Sequence, residues 1–77
     1  MVTVYSKPNC MQCEMSKRYL KDKGIEFKEI NVFEDADSLA MLIGAGLTQM
    51  PVVMADGYDP ITGFRPNKLA KLGDSDA

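Results

Sequence analysis

The sequence predicts an α/β fold in which a four-stranded mixed sheet is flanked by three helices. Two observations lead to this prediction. A strand, a helix and a second strand follow one another within roughly thirty residues, which is the pattern of a βαβ unit with parallel strands and a right-handed crossover. Further along, the pair Asp56-Gly57 lies between apolar residues and is typical of a hairpin turn, which adds an antiparallel pair of strands.

The βαβ unit occupies the first part of the chain. Residues 1–6 contain β-branched and aromatic side chains and form the first predicted strand, which the turn at residues 7–9 ends because Pro8 lacks an N–H. A helix follows from about Cys10 or Met11 to Lys23, and Gly24 suits the position just past its end. Residues 25–32 form the second strand, and three of its side chains are predicted to join the core: Phe27, Ile30 and Val32.

The rest of the chain adds two helices and the hairpin. The second helix begins after a group of carboxylates, which the helix dipole favours, and residues 44–46 end it. Its apolar side chains recur at helical spacing and are predicted to be buried: Leu39, Leu42 and Ile43. Residues 52–54 form a third strand, residues 58–61 an antiparallel fourth, and the last helix runs from Pro66 to Leu72, where Gly73 stops it. One domain is therefore expected over residues 1–72, with a short flexible tail at 73–77.

Composition restricts the partners and the compartment. The chain has 77 residues, of which 45% are hydrophobic and 26% charged, and its net charge of −2 offers no basic footprint for nucleic acid. No apolar run approaches the ~20 residues of a membrane span, and no signal-peptide pattern is visible. We therefore expect a cytoplasmic protein, and in that compartment a C-x-x-C pair is more often catalytic or metal-binding than a structural crosslink.

The two cysteines of Cys10-Met11-Gln12-Cys13 are the candidate catalytic residues. They lie at the start of the first helix, where free N–H groups and the helix dipole favour a thiolate at Cys10. Helical spacing brings their Cα atoms to ~5 Å, which suits a reversible disulfide. Cys10, nearer the helix start, is the expected nucleophile and Cys13 the resolving thiol. A zinc site needs more ligands than one chain without His or further Cys supplies, and a crosslink this short stabilises little.

Three local motifs resemble a known family. They are Lys7-Pro8-Asn9-Cys10-Met11-Gln12-Cys13, Gln49-Met50-Pro51-Val52-Val53 and Gly63-Phe64-Arg65-Pro66. Together with the order of the elements, they resemble the NrdH-redoxins, a glutaredoxin-like branch of the thioredoxin superfamily, over residues 1 to about 72. The chain departs from that family at Ile61-Thr62, where Trp-Ser is common, and at Met50, where a smaller residue is frequent.

The resemblance implies a function and a set of partners. The fold would be the minimal thioredoxin/glutaredoxin fold, and the activity would be that of a dithiol–disulfide oxidoreductase that donates electrons to a class Ib ribonucleotide reductase. A thioredoxin reductase would recharge it with electrons from NADPH, and glutathione would bind poorly. No bound cofactor or metal is implied, because the redox-active disulfide carries the electrons. We expect a monomer with no nucleic-acid or membrane partner.

The resemblance also suggests partner-binding residues around the dithiol. Pro51 corresponds to the cis-proline of the superfamily, and it would aim the Met50 backbone at an incoming substrate strand. Further candidates border the dithiol or the third motif, and each has an ordinary structural alternative: Lys7, Met11, Gln12, Phe64 and Arg65. Phe64 is expected to anchor the loop to the core, whereas Arg65 would contact a partner or make a local hydrogen bond.

Two other functions are compatible with the cysteines. A glutathione-dependent glutaredoxin would also use C-x-x-C, but the Gly-Gly-acidic pattern that helps hold glutathione is absent before the last helix. Alternatively, two chains could share an iron–sulfur cluster or a zinc ion through four cysteines.

Overall fold

The computed structural model describes residues 1–74 and confirms the predicted order of elements. The strands are β1 (Val2–Ser6), β2 (Phe27–Asn31), β3 (Val52–Ala55) and β4 (Ile61–Thr62). The helices are α1 (Met11–Asp22), α2 (Ala36–Gly44) and α3 (Pro66–Asp74). Residues 75–77 of the predicted tail lie outside the described residues. None of the helices within residues 1–74 is long and apolar enough to cross a membrane.

The four strands form one mixed sheet in the order β2-β1-β3-β4. β1 and β2 are parallel, and Ser6 is paired with Asn31 at their carboxyl ends. β3 runs antiparallel to β1 and β4, so that Val52 at its start is paired with Thr62 at the end of β4. The segments that follow Ser6, Asn31 and Thr62 and the segment that precedes Val52 therefore lie together, at the edge of the sheet formed by the carboxyl ends of β1 and β2.

Apolar side chains pack on both faces of this sheet. The first core cluster lies beneath α1 and α3, and it contains Val4, Leu20, Ile25, Val53, Ile61, Leu69 and Leu72. The second cluster lies beneath α2, and it contains Cys13, Val32, Leu42, Met50 and Val52. Because neighbouring strand residues point to opposite faces, Val52 and Val53 belong to different clusters. The second cluster brings Cys13 against residues from the ends of β2 and β3.

The predicted core of the second helix was partly wrong. Leu42 is fully buried and Leu39 is half-buried, but Ile43 is 56% exposed. A short helix packs on the sheet along one stripe of its surface. In α2 this stripe contains Leu39 and Leu42, so that Ile43 beside it faces solvent. Val32, just past the end of β2, is buried as predicted, whereas Phe27 and Ile30 are half-buried because β2 is an edge strand of the sheet.

The hairpin turn was predicted correctly, but the extent of its second strand was wrong. The turn contains Gly57 at φ 83°, and Tyr58 N–H donates to Ala55 O at 3.1 Å. β4 then begins only at Ile61, since Pro60 has no N–H with which to pair with β3. Residues 58–60 are therefore part of the loop and not of the strand.

The helix ends show one confirmed and one wrong prediction for glycine. Gly24 adopts φ 71° just past α1, as expected for a residue that ends a helix. Gly73, by contrast, lies inside α3, which continues to Asp74. A Cβ at position 73 would lie 3.4 Å from Ile25 Cδ1, so the last turn of α3 packs on Ile25 and the helix continues past the glycine.

Candidate active site

Cys10 and Cys13 form a disulfide at the start of α1. Their Cα atoms are 5.2 Å apart, as the helical spacing predicted. Cys10 is the N-cap of the helix, with extended backbone angles, and its Sγ accepts a hydrogen bond from the N–H of Cys13 at 3.1 Å. If Cys10 Sγ carried a negative charge, it would accept this hydrogen bond more strongly, because hydrogen bonds to ions are stronger than those to neutral groups and the helix dipole also favours an anion there. The geometry therefore suits a thiolate at Cys10 once the disulfide is reduced.

The loop before Cys10 determines how the chain enters the helix. Asn9 adopts φ 57°, the left-handed region, which Asn tolerates better than most residues. At the other side, Glu14 N–H donates to Cys10 O at 3.2 Å and begins the regular helical hydrogen bonds. The turn and the first helical bond together place Cys10 at the edge of the sheet defined above.

The two sulfur atoms differ in their access to solvent. Cys13 is 1% exposed and packs in the second core cluster with Val32 and Met50. Cys10 is half-buried and only borders that cluster. A disulfide substrate that approaches from solvent can therefore reach Cys10 more easily than Cys13.

The turn before β3 lies against the disulfide. The Met50–Pro51 peptide bond is cis, as the resemblance implied, and Met50 O lies 4.0 Å from Cys10 Sγ. Gly63 N–H donates to Pro51 O at 2.9 Å and so continues the pairing of β3 and β4 by one bond. Within residues 1–74, the N–H of Met50 has no hydrogen-bond partner.

The residues of the first motif surround the dithiol with exposed side chains. Met11 is 77% exposed, and Lys7 and Gln12 are also exposed. The side chain of Gln12 approaches the residue just after β4, and its Oε1 lies 3.4 Å from the position that a Cβ at Gly63 would occupy. Lys7 makes no ion pair within the described part of the chain.

The third motif is anchored in the fold. Phe64 packs against the first core cluster, and its ring meets that of Tyr19 edge to face at 6.4 Å between centroids. The Nε of Arg65 donates to Thr62 O at 3.0 Å, which is the local hydrogen bond that the sequence left as one alternative. Both side chains thus support the loop between β4 and α3.

A charged network ties α1 to the edge strand near the active-site loop. Lys17 Nζ lies 2.7 Å from Glu29 Oε2 and 3.0 Å from Glu14 Oε1, and Ser6 Oγ donates to the same Glu29 oxygen at 2.9 Å. The hydrogen bond from Lys17 lowers the pKa of Glu29, and the one to Glu29 raises the pKa of Lys17. The sequence did not predict this network, because it joins residues from three separate elements.

Two further residues at this edge lie outside the predicted site. The side chain of Gln49 approaches Gly63, with Nε2 at 3.8 Å from the position of a Cβ there. Phe33 is the second residue after β2 and is 69% exposed. The sequence carried a signal for Phe33, since the carboxyl ends of parallel strands meet at one edge and Phe33 comes just after the second of them.

Comparison with known proteins places this site in a family. The glutaredoxin family model matches residues 2–58. The glutaredoxin-like protein NrdH of Lactococcus lactis subsp. cremoris is 47% identical over 72 residues, which cover 94% of this chain and 99% of that protein. NrdH of Salmonella typhimurium is 39% identical over 71 residues, covering 92% of this chain and 86% of that protein.

A solved structure shows the same relationship. The glutaredoxin-like NrdH-redoxin of Escherichia coli, described as having a thioredoxin-like activity profile, superposes with a TM-score of 0.88 at 34% identity over 92% of each chain. The fold, the sequence motifs and the disulfide of this chain thus all agree with those relatives. The chain belongs to the glutaredoxin family of thiol–disulfide oxidoreductases and, within it, to the NrdH glutaredoxin-like proteins.

Proposed function

We propose that this protein donates electrons to a class Ib ribonucleotide reductase and is recharged by an NADPH-dependent thioredoxin reductase. The similarity to NrdH proteins supports the first partner, and the thioredoxin-like activity profile of the Escherichia coli relative supports the second. The reaction needs no bound cofactor, because the Cys10–Cys13 pair holds the two electrons. The proposal places the protein in the cytoplasm, where it acts as a monomer.

The chemistry is two successive thiol–disulfide exchanges. The Cys10 thiolate attacks one sulfur of the substrate disulfide, the S–S bond breaks, and the other sulfur leaves as a thiolate. Cys13, deprotonated, then attacks Cys10 Sγ in the mixed disulfide and releases the second substrate sulfur. The substrate gains two electrons and, with two protons, becomes a dithiol, while Cys10 and Cys13 become a disulfide. The greater exposure of Cys10 and its N-cap position support this division of roles.

The Met50–Pro51 turn offers a place for the substrate chain. Met50 O lies 4.0 Å from Cys10 Sγ, and the Met50 N–H has no partner within residues 1–74, so an extended segment of a partner could add main-chain hydrogen bonds there and bring its own disulfide over Cys10. Lys7, Met11 and Gln12 lie at the same edge and would contact that segment. Phe64 and Arg65 would shape the opposite side, from the loop they support.

One observation favours a protein reductase over glutathione. The first turn of α3 carries no acidic residue, and Phe64-Arg65-Pro66 leads into it. Glutathione brings an ammonium group and two carboxylates, which need a convergent set of donors together with an acidic or backbone acceptor. A protein partner needs less, since strand pairing positions it. We therefore propose that thioredoxin reductase, and not glutathione, reduces the Cys10–Cys13 disulfide.

The glutathione-dependent glutaredoxin remains the second candidate, because the glutaredoxin family model matches most of the chain.

A shared iron–sulfur cluster or zinc ion between two chains is the third. Within residues 1–74, no group of three or more His, Cys, Asp or Glu side chains is arranged to hold a metal ion. A visible absorption spectrum and a metal analysis of the purified protein test that third candidate directly.

Ribonucleotide reduction itself tests the proposed acceptor. A class Ib ribonucleotide reductase is supplied with NADPH, thioredoxin reductase and this protein, and deoxyribonucleotide formation is measured. We expect turnover that depends on the protein and disappears in Cys10→Ser. The matched control is Met41→Ala, which changes an exposed residue on α2 and should retain turnover. Equal turnover with Cys10→Ser and wild type would contradict the proposal.

A further inference from the structure

Ser16 is a buried residue of α1 whose hydroxyl has no role in the chemistry described above. It is fully buried, and among the residues that the structure describes its Oγ has no hydrogen-bond partner. A serine inside a helix can bond the carbonyl three or four residues earlier, which here would be that of Cys13 or Gln12, but neither bond is present. An unpaired buried hydroxyl destabilises a folded protein, so an acceptor that forms in another redox state would be favourable.

Helix geometry brings this hydroxyl close to Cys13. Residues three apart in an α-helix lie on the same face, with Cβ atoms about 5–6 Å apart, and their side chains lean towards the helix N-terminus. Ser16 is three residues after Cys13 on α1, and both residues are buried. The Ser16 side chain therefore leans towards the helical turn that contains Cys13.

The core cluster around Cys13 offers a charge little solvation. Its other buried members are apolar: Val32, Leu42, Met50 and Val52. Tyr5 packs against this cluster and carries a hydroxyl of its own. The charged residues nearest to Cys13 along α1, Glu14 and Lys17, pair with each other at 3.0 Å. A thiolate formed at Cys13 therefore needs a donor from a side chain close to it.

Disulfide exchange forms such a thiolate twice. In the second exchange step, the Cys13 thiolate attacks Cys10 Sγ in the mixed disulfide. When the Cys10–Cys13 disulfide is reduced again, the same S–S bond breaks and Cys13 leaves as a thiolate. In the closed disulfide Cys13 Sγ carries no charge and is a weak acceptor. The unpaired hydroxyl thus matches an acceptor that exists only when the disulfide is open.

We propose that Ser16 Oγ donates a hydrogen bond to the Cys13 thiolate whenever the disulfide is open, and so stabilises the resolving sulfur in both directions of the exchange. The hydroxyl keeps its proton throughout, so the electrons and protons balance as described above. The proposal rests on the function proposed above in taking Cys13 as the resolving thiol, but it involves neither of the two proposed partners.

The pKa of Cys13 tests this hydrogen bond. The titration uses Cys10→Ala as the background, because Cys13 is then the only thiol and no new hydroxyl competes with Ser16. Cysteine labelled with 13C at Cβ reports the charge on Cys13 by NMR as the pH is raised. We expect the added change Ser16→Ala to raise the pKa of Cys13 by about one unit, because a hydrogen bond to an ion is lost. Ser16→Thr keeps a hydroxyl on Cβ and should retain a value near that of the background.

Two control variants separate this effect from a general disturbance of α1. Met15→Ala changes the neighbouring residue, which is 44% exposed, and should leave the pKa of Cys13 unchanged. Tyr5→Phe removes the other hydroxyl beside the cluster and should also leave it unchanged.

The rate of resolution gives a second measurement in the intact dithiol. The reduced protein is mixed with dithiobis(nitrobenzoate), which releases one coloured thiolate when Cys10 attacks and a second when Cys13 resolves. Below the pKa of Cys13, a rise of one unit lowers the thiolate fraction about tenfold and raises its nucleophilicity about threefold. Ser16→Ala should therefore slow the second release about threefold and leave the first release unchanged.

Three outcomes would overturn the proposal. They are an unchanged pKa of Cys13 in Ser16→Ala, an unchanged second release in that variant, and an equal rise of the pKa in Tyr5→Phe, which would make Tyr5 the donor. Neither measurement uses a physiological reductase or acceptor. If thioredoxin reductase fails to recharge the protein while Ser16→Ala shifts the pKa of Cys13 as expected, only the proposed function is wrong.

Discussion

Replacing Gly63 by Ala should destabilise the protein through the backbone. Gly63 is buried between the dithiol helix and the cis-proline turn, and it donates its N–H to Pro51 O. Its φ of 73° lies in the left-handed region, which residues with a Cβ rarely adopt. The substitution thus perturbs the contact between the end of β4 and the active-site edge.

The magnitude follows from the backbone angle and the nearest neighbours. A left-handed conformation costs an L-residue with a side chain about 1–2 kcal/mol. The new Cβ would lie 3.4 Å from Gln12 Oε1, the end of a flexible side chain that can move at little cost. We therefore expect the free energy of unfolding to fall by about 1–2 kcal/mol, which for a domain of this size lowers Tm by about 4–16 °C.

Thermal and urea unfolding of the oxidised protein measure this loss. Gly57→Ala is the matched control, because Gly57 has φ 83° in the hairpin turn and a Cβ there meets nothing within 4 Å. Its loss should be similar, since the backbone cost dominates in both variants. Gly63→Asn should lose less than Gly63→Ala, because Asn tolerates the left-handed region. Stability of Gly63→Ala equal to that of wild type would refute the backbone argument.

Three other predictions concern the dithiol and the charged network. Cys13→Ser should stall as a mixed disulfide on Cys10, visible by mass spectrometry as one adduct, and an adduct that forms as fast on Cys13 in Cys10→Ser would reverse the assigned roles. Thiolate absorbance of Cys13→Ser against pH should show that the pKa of Cys10 lies below the ~8.5 of an ordinary thiol, and a value at or above that would contradict the N-cap argument. Glu29→Gln should cost less than about 1 kcal/mol at neutral pH, because the side chain is 42% exposed and solvent screens the ion pair. Since Lys17 lowers the pKa of Glu29, the ion pair contributes to stability above pH 4.5, and this contribution is lost as the pH falls through the pKa of Glu29 in the folded protein. The free energies of unfolding of wild type and Glu29→Gln should therefore converge at acid pH. They should stay apart at alkaline pH until Lys17 titrates.

The sequence predicted the fold and the reactive pair because local signals determine both. The βαβ pattern, the C-x-x-C at a helix start and the Asp56-Gly57 turn each depend on neighbouring residues, and the structure contains all three. The cis peptide bond before Pro51 was not predicted from a local signal. It followed from resemblance, since an X–Pro sequence alone gives a base rate of only ~5% for cis.

The errors came from contacts between distant elements. Gly73 carries the local signal of a helix end, but α3 continues to Asp74 and its last turn packs on Ile25, which is distant in sequence. Ile43 fits the apolar period of α2, but the sheet covers only one stripe of that helix. The position of Phe33 at the same end of the sheet as the loop to Cys10 depends on the pairing of β1 with β2, which none of the three motifs contains.

A comparison of two reducing systems tests the central claim most directly. The oxidised protein is supplied with NADPH and either thioredoxin reductase or glutathione with glutathione reductase, and NADPH oxidation is followed with the same disulfide acceptor. The absence of a carboxylate in the first turn of α3 and the proposed pairing of a substrate strand at Met50 predict efficient turnover with thioredoxin reductase and poor turnover with glutathione. Turnover with glutathione that equals or exceeds turnover with thioredoxin reductase would contradict the account and identify the protein as a glutathione-dependent glutaredoxin.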